Sequence, residues 1–231
     1  FRDQLPLIHE VVDTLGLRAI EVPGVEADDV IATLATAAAD AGIDAVVVTG
    51  DRDSYQLVSD PHIRVLYNKR GVSDYVLYDE AGIAERCLGV TPAQYLDYAS
   101  LRGDTSDNLP GVPGIGEKTA AKLITTYGSL DGVFEHLDEL PPKQRANLTE
   151  ARERVFLNRE MSRLHRSIDL DGLAPTDLGP GPVDGERLRT LCNQLEFRTL
   201  LPRLLAAVGD AAVTSDVERP DIEVTIARDA A

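Results

Sequence analysis

Seven carboxylates fall in three short motifs, Glu26-Ala27-Asp28-Asp29, Asp51-Arg52-Asp53 and Asp104-Thr105-Ser106-Asp107. Acids packed this densely repel one another unless hard cations sit among them. Mg²⁺ and Mn²⁺ take oxygen ligands from a few carboxylates, water and substrate phosphate. Directly after the third motif runs Gly111-Val112-Pro113-Gly114-Ile115-Gly116-Glu117-Lys118. Backbone N–H groups of such a turn, opening a helix, can hold a nucleic-acid phosphate with no basic side chain, and its carbonyls can surround a monovalent cation. Acids for metal and a turn for phosphate together predict metal-dependent phosphodiester cleavage.

Each motif also has an ordinary structural explanation. Glu26, Asp28 and Asp29 suit the first turn of a helix, where acids cap free N–H groups and complement the dipole. Glu26 and Asp29 share a helix face while Asp28 points about 100° away, so Glu26 and Asp28 make the better ligand pair. Asp51 and Asp53 suit a turn after a strand, and Asp104 and Asp107 an Asx-turn linker. Three such acid pairs in sequence, the last leading into a glycine turn, are hard to explain as unrelated caps.

The elements that must position these acids alternate between helix and strand. An amphipathic helix is expected at the start, with Leu5, Ile8, Val12 and Leu15 on one face. Arg18 to Val22 is a short apolar stretch, Ala27 to Ala41 reads as a helix, and Ala45 to Thr49 as a strand apolar on both faces. Such a strand suits a parallel-type central sheet covered by helices, where ligands collect beyond the carboxyl ends of the strands. Asp51 and Asp53 stand at such an end. Ile63 to Tyr67 and Tyr75 to Tyr78 are expected as a hairpin or as edge strands. From Asp79 onward the pattern is mostly helical, with one helix over Pro92 to Leu101.

The chain has 231 residues, 43% of them hydrophobic, enough for a sizeable core with a small subdomain. No apolar run approaches the roughly 18 residues of a membrane helix, so a cytoplasmic protein is expected. Cys87 and Cys192 match no zinc spacing and are read as reduced thiols. A net charge of −16 speaks against nucleic acid. Part of that charge belongs to the proposed metal cluster, however, and local charge matters more than the total. Arg52, Lys69, Arg70, Arg102, Lys118 and Lys122 supply local positive charge.

The run from Leu109 to Ile124 resembles a helix-hairpin-helix. Gly114 and Gly116 are expected to allow tight turns, Ile115 to tuck between the helices, and Lys118 to lie at the start of the second helix near a phosphate. In their order, EADD, TGDRD, LRGDTSDN and LPGVPGIGEKTA resemble the 5′-to-3′ exonuclease domain of bacterial DNA polymerase I and the wider flap-endonuclease family. The similarity extends through Leu195-Glu196-Phe197-Arg198 to about Leu205. It implies an α/β core of PIN/resolvase type with a helical helix-hairpin-helix subdomain, acting on DNA 5′ ends, nicks and flaps. It implies two Mg²⁺ or Mn²⁺ ions served by Glu26, Asp28, Asp51, Asp53, Asp104 and Asp107, with Asp29 carried over less securely. It also implies a duplex clamp at Gly111, Val112, Gly114, Ile115, Gly116, Lys118, Thr119 and Lys122, with K⁺ at its turn.

Three parts follow: a nuclease core over 1–101, the hairpin subdomain and C-terminal helices over 102–209, and a linker over 210–231 toward a covalently linked polymerase domain. No obligate protein partner is evident. Family members begin with a strand bearing an aspartate, a second strand-end aspartate and a basic helical arch. The sequence starts at Phe1, inside a helix, so an N-terminally truncated fragment is expected. A duplex-binding module without catalysis stands as the alternative.

Overall fold

The computed structural model describes residues 2–71 and 73–208. The expected linker over 210–231 lies outside them. Contacts divide the chain into two compact units, one spanning Glu21–Asp177 and the other combining residues 2–20 with 178–208.

The smaller unit contains α1 (Leu5–Thr14) and, late in the chain, two further helices. Its core gathers Val183, Leu188 and Cys192, with Leu15 and Leu201 packed against them. The expected apolar face of α1 is covered only toward its end: Leu5 and Ile8 are 37% and 46% exposed. Arg18 to Val22 forms no strand.

The larger unit begins with α2 (Ala27–Asp40) and β1 (Ala45–Thr49), then a 3-10 turn at Asp53–Leu57, β2 (Ile63–Arg70) and β3 (Asp74–Tyr78). β1 pairs in parallel with β2, Val47 opposite Val65, and β2 pairs antiparallel with β3, Leu66 opposite Leu77. The sheet is therefore mixed, parallel at one pair and a hairpin at the other. Val47 and Val65 face the core, which includes Ala32 and Ala35 of α2. The opposite face was expected to be covered as well. Val48 and Leu77 instead flank Leu66 across the register and are 63% and 49% exposed.

Helices α3 (Glu80–Arg86) and α4 (Pro92–Arg102) follow the hairpin. α4 starts on a capping box, Thr91 with Gln94, and Pro92 presets its first turn. It ends at Gly103, whose φ of +81° turns the chain into a two-stranded ladder of β4 (Gly103–Asp104) and β5 (Leu109–Pro110). The acid loop Thr105–Asn108 is the tip of that ladder. Beyond it the glycine turn leads into α5 (Glu117–Tyr127), α6 (Leu130–Glu135) and the 20-residue α7 (Pro142–Met161). α8 (Gly185–Gln194) and α9 (Leu200–Val208) complete the smaller unit. No described helix is long and apolar enough to cross a membrane.

Candidate active site

The carboxyl end of β1 fixes the first pair of acids. The Asp51 N–H donates to Thr49 Oγ1 (2.9 Å), and Asp51 Oδ1 accepts the Asp53 N–H (2.8 Å). Asp53 then opens the 3-10 turn, whose Ser54, Tyr55, Gln56 and Leu57 are all buried. Tyr55 lies edge-on to Tyr67, Tyr78 and Tyr95 with centroids 5.3–5.4 Å apart, so an aromatic cluster beneath Asp53 anchors its backbone.

Glu26 is the N-cap of α2, yet its side chain makes no capping hydrogen bond. The ordinary explanation of that acid is therefore absent. Asp28 is half-buried in the first turn of the same helix. Asp29 is held by a structural bond, in which one carboxylate oxygen accepts the His165 N–H at 2.8 Å. In the ladder loop, Asp104 Oδ1 accepts from the Ser106 N–H (2.9 Å) and from the Ser106 hydroxyl, an Asx turn as the plain reading of that loop anticipates.

Six of the seven acids, Glu26, Asp28, Asp29, Asp51, Asp53 and Asp107, line one cleft of about 480 Å³. Asp104 lines an adjoining recess of about 740 Å³ together with Asp51, Asp107, Arg52 and Arg102. The groups act on each other electrically. Burial, then Asp51, Asp104 and Asp107, pushes the Asp53 carboxyl up to about 7. Asp28 is raised by burial and by Asp51, Glu26, Asp29 and Asp107, and Asp107 by burial and by Asp104, Asp51 and Glu26. Asp104 moves the other way. Burial raises it, but hydrogen bonds from Ser106 and the charge of Arg102, 3.6 Å from its carboxylate, outweigh that and lower it.

The donor set is all carboxylate oxygen, which suits a hard divalent cation, and the mutual repulsion is what such a cation would relieve. No group of three acids, histidines or cysteines among the described residues is drawn together tightly enough to hold an ion by itself.

The glycine turn is built from close backbone crossings. A Cβ on Gly111 would meet the Arg102 carbonyl oxygen at 2.2 Å, and one on Gly103 the Gly111 nitrogen at 2.2 Å. Gly114 has φ +77°, whereas Gly116 has an ordinary φ of −97° and open space where a Cβ would stand. Val112 and Ile115 are buried, and their N–H groups bond to Leu101 O and Val112 O, so neither is free for a ligand. The first helical bond of α5 runs from the Ala120 N–H to Gly116 O, leaving the N–H groups of Glu117, Lys118 and Thr119 ahead of it. Lys118 and Lys122 are exposed one turn apart on α5.

Motif reading did not reach two features. The far wall of the acid cleft is the end of α7 and the strip after it, Glu160 to His165. The glycine turn is tied to α7 by Asn147 Nδ2 to Pro113 O (2.8 Å), Arg154 to Gly111 O (3.1 Å) and Asn158 Nδ2 to Pro110 O (3.1 Å). Their spacing of seven and four residues puts all three on one helix face, a pattern that is visible in sequence only once the partner is known.

Two family models match: the 5′-3′ exonuclease N-terminal resolvase-like domain over residues 1–88 and the 5′-3′ exonuclease C-terminal SAM fold over 90–185. A 5′-3′ exonuclease of Streptomyces coelicolor is 45% identical over 210 residues, covering 89% of this chain and 68% of its own length. The chain belongs to the 5′-3′ exonuclease family. DNA polymerase I of Mycobacterium bovis is 46% identical over 220 residues, which cover 92% of this chain but 24% of the polymerase. The chain thus spans about a quarter of the length of its polymerase relatives. The flap endonuclease of bacteriophage T5, solved in a pseudo-enzyme-product complex with DNA and metal ions, superposes with a TM-score of 0.55 at 20% identity. That match covers 82% of this chain and 62% of the other. This 5′-3′ exonuclease fold, a resolvase-like mixed sheet with a helical domain, brings the acid motifs and the glycine turn into one compact unit.

Proposed function

We propose that the acid cleft hydrolyses phosphodiester bonds of DNA at 5′ ends, nicks and flaps, with two Mg²⁺ or Mn²⁺ ions held by Glu26, Asp28, Asp51, Asp53, Asp104 and Asp107. The observation that carries this reading is the convergence of seven carboxylates, one of them pushed up to about 7, in the same compact unit as a turn whose helix leaves backbone N–H groups ahead of its first bond. Divalent cations bound there would generate a nucleophilic water near neutral pH and stabilise the leaving oxygen. The chain's own residues do the rest. Asp53 is held rigid by the tyrosine cluster, Asp29 fixes the far wall rather than serving as a full ligand, and Arg52 and Arg102 offset phosphate charge in the adjoining recess.

Duplex would be held on Gly114, Gly116, Lys118, Thr119 and Lys122, by contacts that position the backbone and read no base. The turn carbonyls of Pro110, Gly111 and Pro113 already accept N–H groups from α7. A K⁺ ion at the turn would share those oxygens or use their neighbours. The division into a nuclease core to residue 101, a hairpin subdomain to 209 and a linker toward a polymerase, in a bacterial cytoplasm, belongs to this proposal.

The test is release of nucleotides from a 5′-labelled nicked duplex and a 5′ flap with Mg²⁺, Mn²⁺ or EDTA. Metal-dependent release is expected. Salt-sensitive duplex binding without any release would leave the chain a binding module, and neither binding nor release would remove both readings.

A further inference from the structure

Beside the acid cleft lies a recess of opposite charge. Arg163, Leu164 and His165 line both, so the strip that closes the cleft turns its other side to a pocket of about 420 Å³. The remaining walls of this pocket include Gln56, Arg166 and the first turn of α4. Among the described residues no carboxylate lines it.

The strip is fixed in place. Gln56, 8% exposed, donates from Nε2 to Ser162 O (2.9 Å) and accepts the Leu164 N–H at Oε1 (3.2 Å), and Arg166 donates to the Gln56 carbonyl. From α2, Asp29 accepts the His165 N–H, and Thr33 Oγ1 accepts the Ile168 N–H at 3.1 Å. Basic residues beyond a helix end commonly complement its dipole, but that effect fades within a turn, and Arg166 stands five residues past Met161. Arg163 has an exposed carboxylate partner, Glu160 at 3.2 Å. Arg166 is exposed at the pocket, its guanidinium tied to the Gln56 backbone carbonyl, and no carboxylate among the described residues pairs with it. A guanidinium held on a rigid support without a counter-ion is matched by a phosphate oxygen.

We propose that Arg163, His165 and Arg166 seat a backbone phosphate of the same strand whose neighbouring linkage enters the acid cleft. This inference rests on the nuclease reading. The two recesses share this strip as a wall, so a strand leaving the cleft over it passes from repelling carboxylates onto these basic side chains. The pocket then sets which linkage of the strand lies among the acids.

The test is binding of a nicked duplex, followed by fluorescence anisotropy in EDTA across salt concentrations. Each phosphate contact contributes about 0.9 to the slope of log K against log salt. Replacing both Arg163→Ala and Arg166→Ala should flatten that slope by about one contact, roughly fourfold less loss of affinity between 50 and 200 mM salt. Arg166→Lys should restore it, and melting curves check that each variant is folded. A single methylphosphonate walked along the strand should weaken wild type at one position and leave the double variant indifferent there.

Equal slopes and the same interference pattern in wild type and double variant would overturn the proposal. So would saturable binding of a 5′-mononucleotide that the double variant loses while its strand binding is unchanged, since the pocket would then hold free phosphomonoester. A flattened slope in a protein that never cleaves with Mg²⁺ would support the pocket and remove the nuclease reading instead.

Discussion

Asp53→Asn separates the electrostatic cost of the acid cleft from its use. In the folded chain, burial and the charges of Asp51, Asp104 and Asp107 raise this carboxyl from 3.8 to about 7. Between those values the folded state keeps a proton that the unfolded state has released. Stability from this group is therefore fully present below about pH 4 and is lost as pH rises through 7. At roughly 1.4 kcal/mol per pH unit, the rise sets an upper limit of about 4 kcal/mol. Solvent entering an open cleft reduces it, and about 2 kcal/mol corresponds to some 4–8 °C of melting temperature for a chain of this size. The asparagine cannot ionise. Without divalent metal, the variant should melt above wild type at pH 8, and the difference should shrink toward zero near pH 4. With Mn²⁺ the order should reverse, because only wild type gains stability by binding the ion in its native state. The assay is a set of thermal melts from pH 4 to 8, with EDTA and with Mn²⁺. A variant that melts at or below wild type in EDTA at pH 8 refutes the repulsion argument. A variant that gains as much from Mn²⁺ as wild type refutes the site.

Gly116→Val should leave the fold intact at a cost of about 1 kcal/mol, since its Cβ meets nothing and only the N-cap of α5 is weakened, while lowering nicked-duplex affinity at low salt; unchanged affinity would remove this residue from the clamp. Gly111→Ala should do the opposite and destabilise the fold by about 1–3 kcal/mol in urea titration, because its Cβ would meet the Arg102 carbonyl at 2.2 Å. Tyr55→Phe should be neutral or stabilising, within about 1 kcal/mol, because the Tyr55 hydroxyl is buried without a partner; a loss greater than that would reveal a bond the geometry does not contain.

What the sequence could reveal was local. An apolar run ending at Gly50 placed Asp51 and Asp53 at a strand end, because strand length and flanking residues are written in consecutive positions. α4 and the start of α5 followed from Pro92 and from the glycines for the same reason. The strip from Glu160 to Arg166 was hidden, since its bonds reach back 136 residues to Asp29 and 108 to Gln56, and no periodicity encodes such a return. Asp29 could be read as cap or ligand, but its actual partner is a backbone N–H on that strip. The glycines looked alike in sequence and differ in cause: Gly111 is required by a backbone crossing, Gly114 by its φ, and Gly116 by no clash, standing as the N-cap of α5. Val48 was expected under a helix because it is apolar, and apolarity alone does not say which face receives a cover.

Helix α7 carries a metric consequence. Asn147, near its start, holds the glycine turn, and Glu160, near its end, lines the acid cleft. Thirteen residues at about 1.5 Å each separate them by some 20 Å, close to six nucleotide steps of about 3.4 Å along a duplex strand. If the proposed function holds, one rigid rod would act as a ruler between grip and blade. Its length is set by backbone hydrogen bonds rather than by any base, so on the proposed function the interval between a duplex held at the turn and a linkage broken at the acids would be a constant of the protein. Lengthening the rod by one turn between Asn158 and Glu160 would leave the three ties to the glycine turn in place and, on that reading, move the cut by a nucleotide or two.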